Sequence, residues 1–264
     1  MNSTRIIMVT SCKGGVGKST VSANLAVKLA LDGWRTLLID CDFGVRSLDL
    51  IMGLEDRVIF DVTDIILHGI APEKVLIQDP RSDNLYFCAA PYDYETDLDH
   101  DEFKTALRKI GKEMCFDYII IDTPGDTGSP LRLAAAAADE ALVVSTYQPA
   151  SIRAAERTGI LLEESGVKTK KLIINCFHAD GKEFEGQPGL LEVIDKTSIQ
   201  LLGIIPYDSR LSDKQAQGED VFTIPSCNAA EAFTNIAIRL TGRTVPLFTG
   251  FKKIKRAELI KKIQ

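Results

Sequence analysis

The feature that most restricts the fold is a glycine-rich stretch, residues 13–20, which reads KGGVGKST and lies between two patterned segments. The apolar run Ile6–Thr10 before it predicts a strand, and Val21–Leu31 after it has the apolar spacing of a helix. Glycines let backbone N–H groups turn inward around an anion, and a helix start adds its positive dipole end. The sequence therefore predicts a phosphate-binding loop between the first strand and the first helix.

The rest of the chain repeats this alternation of short apolar runs and longer helical patterns. Because the predicted strands are continuous apolar runs, both faces of their sheet should be covered. We therefore expect an α/β fold with a doubly wound, mostly parallel sheet flanked by helices. Further strands are predicted at 36–40, 85–89, 118–122, 142–145, 171–175 and 202–205, and further helices at 60–67, 102–114, 151–164, 208–217 and 229–240.

Within the loop, individual residue types suit different parts of a nucleoside triphosphate with its magnesium ion. Lys18 would reach the β- and γ-phosphates, Ser19 would bind Mg²⁺, and Thr20 would cap the α-phosphate. Position 12 is Cys rather than Gly, so the common pattern GxxxxGK[ST] is not matched in full. The predicted nucleotide-binding residues of the loop are Lys13, Gly14, Gly15, Val16, Gly17, Lys18, Ser19 and Thr20.

Two predicted strands end in carboxylates that this chemistry uses. One runs into Asp40 and Asp42, which the alternation of an extended chain places on the same side. Another ends in Asp122, where a carboxylate can reach Mg²⁺ through water, and Gly125 can then offer its N–H to the γ-phosphate. Because ligands bind at the carboxyl ends of parallel strands, we expect these residues to face the phosphate loop.

These motifs resemble those of the MinD/ParA family of deviant Walker A P-loop ATPases. Lys13 is the second lysine of that family's signature KGGxGK[ST], and residues 40–53 are similar to its switch I, in the MinD branch more than in the ParA branch. Residues 122–125 look like its switch II. The resemblance covers nearly the whole chain and is strongest over 5–65 and 117–157. It implies an ATPase that uses ATP and Mg²⁺.

The resemblance also implies residue roles. Asp42 would position the attacking water, and Asp40 would support the metal shell. Lys13 would cross the interface of a face-to-face homodimer formed with ATP and touch the partner's nucleotide. The catalytic set is then Lys13, Lys18 and Asp42, and the metal set is Ser19, Asp40 and Asp122.

The base pocket is predicted from the same resemblance. Asn175, together with backbone groups of Pro206 and Tyr207, would hold adenine, and a loop cap is the alternative interpretation of Asn175. No NKxD motif for guanine occurs, which favours ATP over GTP.

Charge divides the chain into an acidic body and a basic end. The net charge is −6, yet residues 249–264 carry six basic residues and one acidic residue, which leaves −11 for the rest. An acidic body is a poor partner for DNA. We predict an ATPase domain at 1–247 and a basic tail at 248–264, a possible membrane-targeting helix similar to that of the MinD branch.

The apolar residues of this tail recur at every third position, from Phe248 to Ile263. On a helix this spacing drifts around the axis instead of forming one stripe. Each basic residue contributes on the order of 1 kcal/mol at an anionic surface, so one tail would bind lipid weakly and two tails on one dimer far better.

The leading interpretation is a Mg²⁺-dependent ATPase that dimerises on ATP, binds membrane peripherally and regulates the placement of the division site. Its hydrolysis would be slow without an unknown protein activator. The chain lacks a run of about 18 apolar residues and a signal-peptide pattern, and its six cysteines are scattered, so we expect a cytoplasmic location, peripheral at the inner face of the membrane. Ala154 and Ala155 occupy positions where the MinD branch carries acids. A paralogue that positions another cargo is therefore an alternative interpretation.

Other function classes stay open alongside this interpretation. They are a ParA-like partition or cargo-positioning ATPase, an iron–sulfur or electron carrier related to the nitrogenase iron protein, and an adaptor that binds ATP and hydrolyses it negligibly. A bacterial tyrosine kinase is disfavoured because no Tyr follows Tyr207.

Overall fold

The computed structural model describes residues 3–92, 98–178, 190–245 and 247. In these residues the strands form a single sheet in the order β3-β4-β2-β5-β1-β6-β7-β8. The strands are β1 (Arg5–Thr10), β2 (Thr36–Asp40), β3 (Ile77–Gln78), β4 (Leu85–Cys88), β5 (Tyr118–Asp122), β6 (Glu140–Ser145), β7 (Thr169–Phe177) and β8 (Gln200–Pro206).

Helices connect these strands and cover the sheet. Helix α1 packs against α10, and α5 packs against α6. The helices are α1 (Lys18–Leu31), α2 (Leu48–Met52), α3 (Val62–Ile66), α4 (Pro72–Val75), α5 (His100–Glu113), α6 (Ser129–Ala137), α7 (Pro149–Glu164), α8 (Leu190–Thr197), α9 (Ser209–Gln215) and α10 (Asn228–Leu240).

The sheet is parallel at every strand pair but one. Among the strands of the described residues, the two-residue β3 is the one that runs antiparallel to its neighbour, β4. Every residue of β2 and of β5 is buried, so both faces of the central sheet are covered, as continuous apolar runs require. The expected doubly wound, mostly parallel α/β fold is confirmed.

Strand register brings the sequence-predicted carboxylates together. Asp40, the last residue of β2, pairs directly with Asp122, the last residue of β5. On its other side β5 pairs with β1, where Asp122 lies opposite Val9. Because the glycine-rich loop follows β1, both carboxylates lie at the edge of the sheet from which that loop leaves.

Several element boundaries differ from the predicted ones. The helix expected at 60–67 is limited to Val62–Ile66, where Asp61 forms a capping box with Asp64. Strands β6, β7 and β8 each begin two residues earlier than expected, and β7 and β8 also end later. The antiparallel β3 was not predicted, because two residues are too short to show a period. None of the helices in the described ranges is long and apolar enough to cross a bilayer.

Candidate active site

The glycine-rich loop is open on one side and packed on the other. Gly14 and Gly15 are exposed, and a Cβ built on either would meet no atom within 4 Å. Val16 is 1% exposed and anchors the loop in the core. Gly15 and Gly17 have φ angles of 74° and 90°, the left-handed region that favours glycine. The loop thus presents bare backbone outward, which is the surface that a phosphate group needs.

Asn175 packs against the back of this loop. Its Nδ2 donates to the carbonyl oxygen of Val16 at 2.9 Å, and a Cβ on Gly17 would lie 2.2 Å from the same nitrogen. A side chain at position 17 is therefore excluded by β7 as well as by its backbone conformation. The amide nitrogen of Asn175 is engaged by the loop, so its predicted contact with adenine would have to use the amide oxygen.

Lys18, the first residue of α1, is buried with its ammonium group beside the loop. Its Nζ donates to the carbonyl oxygen of Lys13 at 3.5 Å, a long hydrogen bond for a cation. Burial lowers the pKa of Lys18, and the carboxylates of Asp122, Asp42 and Asp126 oppose that effect. A buried cation that makes only a weak hydrogen bond is well suited to receive phosphate oxygens.

Asp122 accepts two short hydrogen bonds from α1. Ser19 Oγ donates to Oδ2 at 2.6 Å, and Ser22 Oγ donates to Oδ1 at 2.7 Å. Burial raises the pKa of Asp122 to about 6, although both hydroxyl groups and Lys18 favour its charged form. The two predicted metal ligands Ser19 and Asp122 therefore lie in direct contact.

Asp40 lies behind this pair and is fully buried. Its carboxylate accepts from the backbone N–H of Asp42 at 2.8 Å and of Leu48 at 3.1 Å, which fixes the start of the segment after β2. Burial, and then the neighbouring charge of Asp122, raise the pKa of Asp40 to about 7. Burial thus disfavours the charged forms of Asp40 and Asp122.

A magnesium ion with ATP fits this arrangement. No group of three or more His, Cys, Asp or Glu side chains within the described ranges is placed to hold a metal by itself. Mg²⁺ commonly keeps several waters and takes few protein ligands beside the substrate phosphates, so Ser19, Asp122 and the more remote Asp40 suffice. Burial raises the pKa of both carboxylates, and a divalent cation would oppose that effect by stabilising their charged forms.

Asp42 and Gly125 approach the loop from the two strands beside it. Asp42 is half-buried, and burial raises its pKa while Lys18 lowers it. A Cβ on Gly125 would lie 2.8 Å from the nitrogen and 2.9 Å from the Cα of Gly14, so the segment after β5 touches the phosphate loop backbone to backbone. The two segments therefore leave no space between them for a side chain at position 125.

The ends of β7 and β8 hold an aromatic pair. Tyr207 is 54% exposed, and its ring stacks on His178 with centroids 4.8 Å apart and planes 26° from parallel. Pro206 is buried beside it at the end of β8. These residues lie at the same edge of the sheet as Asn175, where an adenine ring would find flat surfaces to stack on.

Four side chains beside this site were not identified from the sequence. Ser22 looks like any small helix residue, Thr158 accepts from the N–H of Cys12 at 2.9 Å, and Gln215 accepts from Thr20 Oγ1 at 3.1 Å. The fourth is His178, and no pattern in the sequence indicated that its ring stacks on Tyr207. None of the four belongs to a motif visible in the sequence, although Ser22 lies one helical turn from Lys18 and faces the same edge.

Together the fold and the loop define a class of protein. A mostly parallel sheet with a glycine-rich loop between its central strand and a helix, and with carboxylates ending the adjacent strands, is a P-loop nucleoside triphosphatase. A profile of the ParA family, described as NUBPL iron-transfer P-loop NTPase, matches residues 2–241. The chain therefore belongs to the MinD/ParA family of P-loop ATPases, and it works with ATP and Mg²⁺.

Curated relatives and solved structures agree with this family. MinD of Bacillus subtilis is 35% identical over 244 residues, covering 91% of this chain and 90% of that protein. MinD of Synechocystis is 36% identical over 247 residues, covering 92% and 91%. A chain of the MinC:MinD cell division complex of Aquifex aeolicus superposes with a TM-score of 0.84 at 33% identity, covering 92% of this chain and 98% of that one.

A second structure bears on the nucleotide. MinD of Pyrococcus horikoshii, solved with Mg-ADP, superposes with a TM-score of 0.79 at 25% identity, covering 90% of this chain and 96% of that one. The expected family, the ATPase activity and the pairing of ATP with Mg²⁺ are confirmed.

Proposed function

We propose that this ATPase forms a homodimer with ATP and acts as a nucleotide-switched spatial regulator in placing the division site. The observation that carries the proposal is the likeness to septum site-determining proteins, 35% and 36% identical over more than 90% of the chain. Lys13 adds support from the site. It is half-buried at the loop, and none of the ion pairs among the described residues uses it.

The two lysines then have separate tasks. Lys18 holds the β- and γ-phosphates of its own nucleotide, because its ammonium group is buried beside the loop. Lys13 reaches the nucleotide of the second subunit and stabilises the charge that develops on the transferring phosphoryl group. Without a partner subunit this second cation is missing, so ATP hydrolysis and dimer formation are coupled.

The carboxylates divide the remaining work. Ser19 and Asp122 would hold the metal ion, and Asp40 would support its water shell. Mg²⁺, when bound, neutralises charge on the β- and γ-phosphate oxygens. Asp42 is half-buried next to Lys18 and orients the attacking water.

The segment after β5 serves as the switch. Gly125 lies against Gly14 with no room for a side chain between them. An N–H bond from Gly125 to the γ-phosphate would fix this segment, and loss of that phosphate would release it. Release of the segment after β5 would also change the surface that meets the partner subunit, because this segment lies against the phosphate loop.

Light scattering after size-exclusion chromatography tests the dimer. With ATP and Mg²⁺ we expect a dimer of the wild type that is trapped in Asp42→Ala, and a monomer with ADP. Lys13→Ala should bind ATP yet stay monomeric, whereas Lys168→Ala, an exposed lysine elsewhere, should behave as the wild type. A dimer of Lys13→Ala with ATP, or a wild type that stays monomeric with every nucleotide, would overturn the proposal.

Membrane attachment is the second part of this function. The predicted tail at 248–264 lies outside the described residues, and its six basic residues supply the charge for an anionic surface. We expect the full chain to pellet with anionic vesicles when ATP is present, and a chain ending at Leu247 to stay in solution. Equal pelleting of both would remove the tail from the mechanism.

A partner protein is the third part. The related chain of Aquifex aeolicus was solved in a complex of MinC with MinD. A protein regulator that binds the ATP dimer of this chain would raise its hydrolysis rate. Early in α7, Ala155 is fully buried and Ala154 is half-buried, so a regulator that meets this part of the helix would contact no acid at either position.

A second candidate function, iron transfer, is favoured by the description of the matching family profile. The six cysteines of the described residues are free. Iron and sulfide analysis of anaerobically purified dimer decides between the two, because a carrier retains a stoichiometric cluster and a spatial regulator does not.

A further inference from the structure

A cavity of about 340 Å³ lies beside the first residues of β7 and β8 and the end of α10. We name it the β7–β8 cavity. The two strands are parallel, and Lys171, near the start of β7, lines the cavity. Asn175, four residues later on the same strand, contacts the phosphate loop. The cavity therefore lies at the opposite edge of the sheet from the nucleotide site, and the phosphates of ATP are not its occupant.

The lining of the β7–β8 cavity is basic. Lys171, Arg239 and Arg243 line it, and none of the described residues around it is acidic. Lys171 pairs with Glu140 at 2.9 Å, but the same carboxylate also binds Arg5 at 2.6 Å. One negative charge is thus shared between two cations, and this part of the protein keeps a net positive charge. Such a charge favours an anionic occupant.

Arg239 has hydrogen-bonding capacity left at the cavity. Its Nη2 donates to the carbonyl oxygen of Val245 at 2.6 Å, which fixes the guanidinium group. Its Nε is buried and has no hydrogen-bond partner among the described residues. Burial lowers the pKa of Arg239, and none of the ion pairs in the described ranges includes it. A buried N–H without a partner is costly, and an oxygen atom of a ligand would remove that cost.

Arg243 adds a second guanidinium group just beyond α10. It is exposed, and its Nε makes only a long hydrogen bond to Thr241 Oγ1, at 3.3 Å. A guanidinium group presents its N–H donors in a planar fork that matches phosphate oxygens. Three cations around one small cavity suit a tetrahedral phosphate group, whose oxygens point in different directions, better than a flat carboxylate.

The β7–β8 cavity lies close to the end of the ATPase domain. Thr244 lines the cavity, Val245 is bonded to Arg239, and Leu247 packs on the core. The predicted basic tail begins at the next residue, 248. A tail that meets an anionic membrane would therefore bring lipid phosphate groups to this side of the protein. Phospholipid headgroups are the expected source of a phosphate group here.

We propose that the β7–β8 cavity binds a phosphate group through Arg239, Arg243 and Lys171. The Nε–H of Arg239 donates to one oxygen of this group, and the guanidinium group of Arg243 binds another. This binding needs neither ATP nor a dimer. The lipid headgroup as its source rests on the proposed membrane attachment, and a soluble phosphate compound is the other source of the same chemistry.

Nuclear magnetic resonance of the ¹⁵N-labelled full chain tests the binding, with methyl phosphate as the probe. Saturating Mg-ADP fills the phosphate loop, so the probe is kept out of the nucleotide site. We expect the Nε–H resonance of Arg239, identified by its loss in Arg239→Lys, to shift saturably. Acetate at the same ionic strength should shift it little. Absence of a saturable shift, or an equal shift with acetate, would overturn the proposal.

A matched pair of variants locates the binding. Arg243→Gln changes an exposed side chain, so it should fold as the wild type does and weaken methyl phosphate binding at least about threefold. Arg57→Gln is the control, because this exposed arginine bonds to Gln78 of β3, at the other end of the sheet. Its affinity for methyl phosphate should equal that of the wild type. Unchanged affinity in Arg243→Gln would overturn the proposal.

Vesicle pelleting with ATP then separates the two sources of the phosphate group. We expect full-length Arg243→Gln to bind phosphatidylglycerol vesicles at least about threefold less than Arg57→Gln, which has the same net charge. Equal pelleting of these variants, together with the resonance shift, would assign the cavity to a soluble phosphate compound. A wild type that does not pellet would contradict the proposed membrane attachment, and the resonance shift would then assign the cavity to the soluble source as well.

Discussion

Ser19 and Asp122 share a hydrogen bond of 2.6 Å between Oγ and Oδ2, although 103 residues separate them along the chain. One is the predicted hydroxyl ligand of Mg²⁺ and the other the predicted carboxylate. Ser22 holds the second oxygen of the same carboxylate at 2.7 Å. Helix α1 thus positions Asp122 through two hydroxyl groups, and a metal ion would enter beside an already oriented carboxylate.

Removal of the Asp122 charge should stabilise the nucleotide-free protein. Burial raises the pKa of Asp122 from 3.8 to about 6, so ionisation of this group opposes folding. The cost is absent well below pH 4, grows as the pH rises from the unfolded pKa of 3.8 to the folded pKa of about 6, and is fully present at pH 8. Asp122→Asn should therefore unfold in urea with a free energy higher by about 1–3 kcal/mol at pH 8.

The pH profile separates this cause from a general effect. The stability difference between Asp122→Asn and wild type should shrink as pH falls from 8 to 4. Asp213→Asn, an exposed acid on α9, serves as the control and should show no such trend. The variant should also lose the extra stability that ATP with Mg²⁺ gives the wild type. A variant that is less stable than wild type at pH 8 would contradict the argument.

Addition of one methyl group at Gly125 should uncouple the switch. A Cβ there would lie 2.8 Å from the backbone nitrogen of Gly14, which no side-chain rotation can relieve. We expect Gly125→Ala to fold, to melt several degrees lower, and to lose at least tenfold in ATP turnover. Gly14→Ala is the comparison, because its Cβ meets nothing within 4 Å and its melting temperature should stay near wild type. Wild-type turnover in Gly125→Ala would show that this contact does not matter.

The strand ends of the site could be read from the sequence because they depend on local patterns. Apolar runs that end in Asp40 and Asp122 predicted two neighbouring carboxylates, and the sheet pairs those two residues directly. The phosphate loop was equally visible, since strand, glycines and helix follow each other without a gap. Residues 248–264 are different, because they lie outside the described residues and their predicted role stays a prediction.

Contacts between distant segments could not be read in the same way. The bond from Asn175 to Val16 joins residues 159 positions apart, and the bond from Thr20 to Gln215 joins residues 195 apart. Neither Asn nor Gln belongs to a spaced motif, so composition and period give no signal. Such contacts follow from how β7 and α9 pack on the loop, which only the folded chain determines.

Gln215 should weaken ATP binding, because it engages the Thr20 hydroxyl group in a hydrogen bond. Its Oε1 accepts from Thr20 Oγ1 at 3.1 Å, while its buried Nε2 has no partner among the described residues. If Thr20 donates to the α-phosphate, this hydrogen bond, worth about 1 kcal/mol, must first break. We expect Gln215→Met to bind ATP about threefold more tightly by titration calorimetry.

Two variants control this prediction. Gln217→Met changes an exposed glutamine nearby and should leave ATP affinity unchanged. In a Thr20→Ala background, Gln215→Met should have no further effect, because the hydroxyl group is already absent. Weaker ATP binding by Gln215→Met would mean that Gln215 supports the site instead of restraining it.

Arg46 and Asp49 form a buried ion pair in the segment after β2. Nε lies 2.6 Å from Oδ2, and the side chains are 8% and 1% exposed. The guanidinium group also lies over the ring of Tyr92, 4.1 Å from its centroid. Loss of one partner leaves an uncompensated buried charge, so Asp49→Ala should lower the free energy of unfolding by about 3 kcal/mol.

The double variant distinguishes a specific pair from simple loss of packing. Arg46→Met with Asp49→Leu fills the same space without charge and should cost clearly less than Asp49→Ala alone, because no buried charge is left unpaired. Glu192→Ala breaks an exposed pair with Lys196, in which Glu192 is 49% and Lys196 56% exposed, and should cost below about 1 kcal/mol. Urea unfolding at pH 7 measures all three. Equal losses in Asp49→Ala and in the double variant would show that packing, and not charge pairing, holds this segment beside the active site.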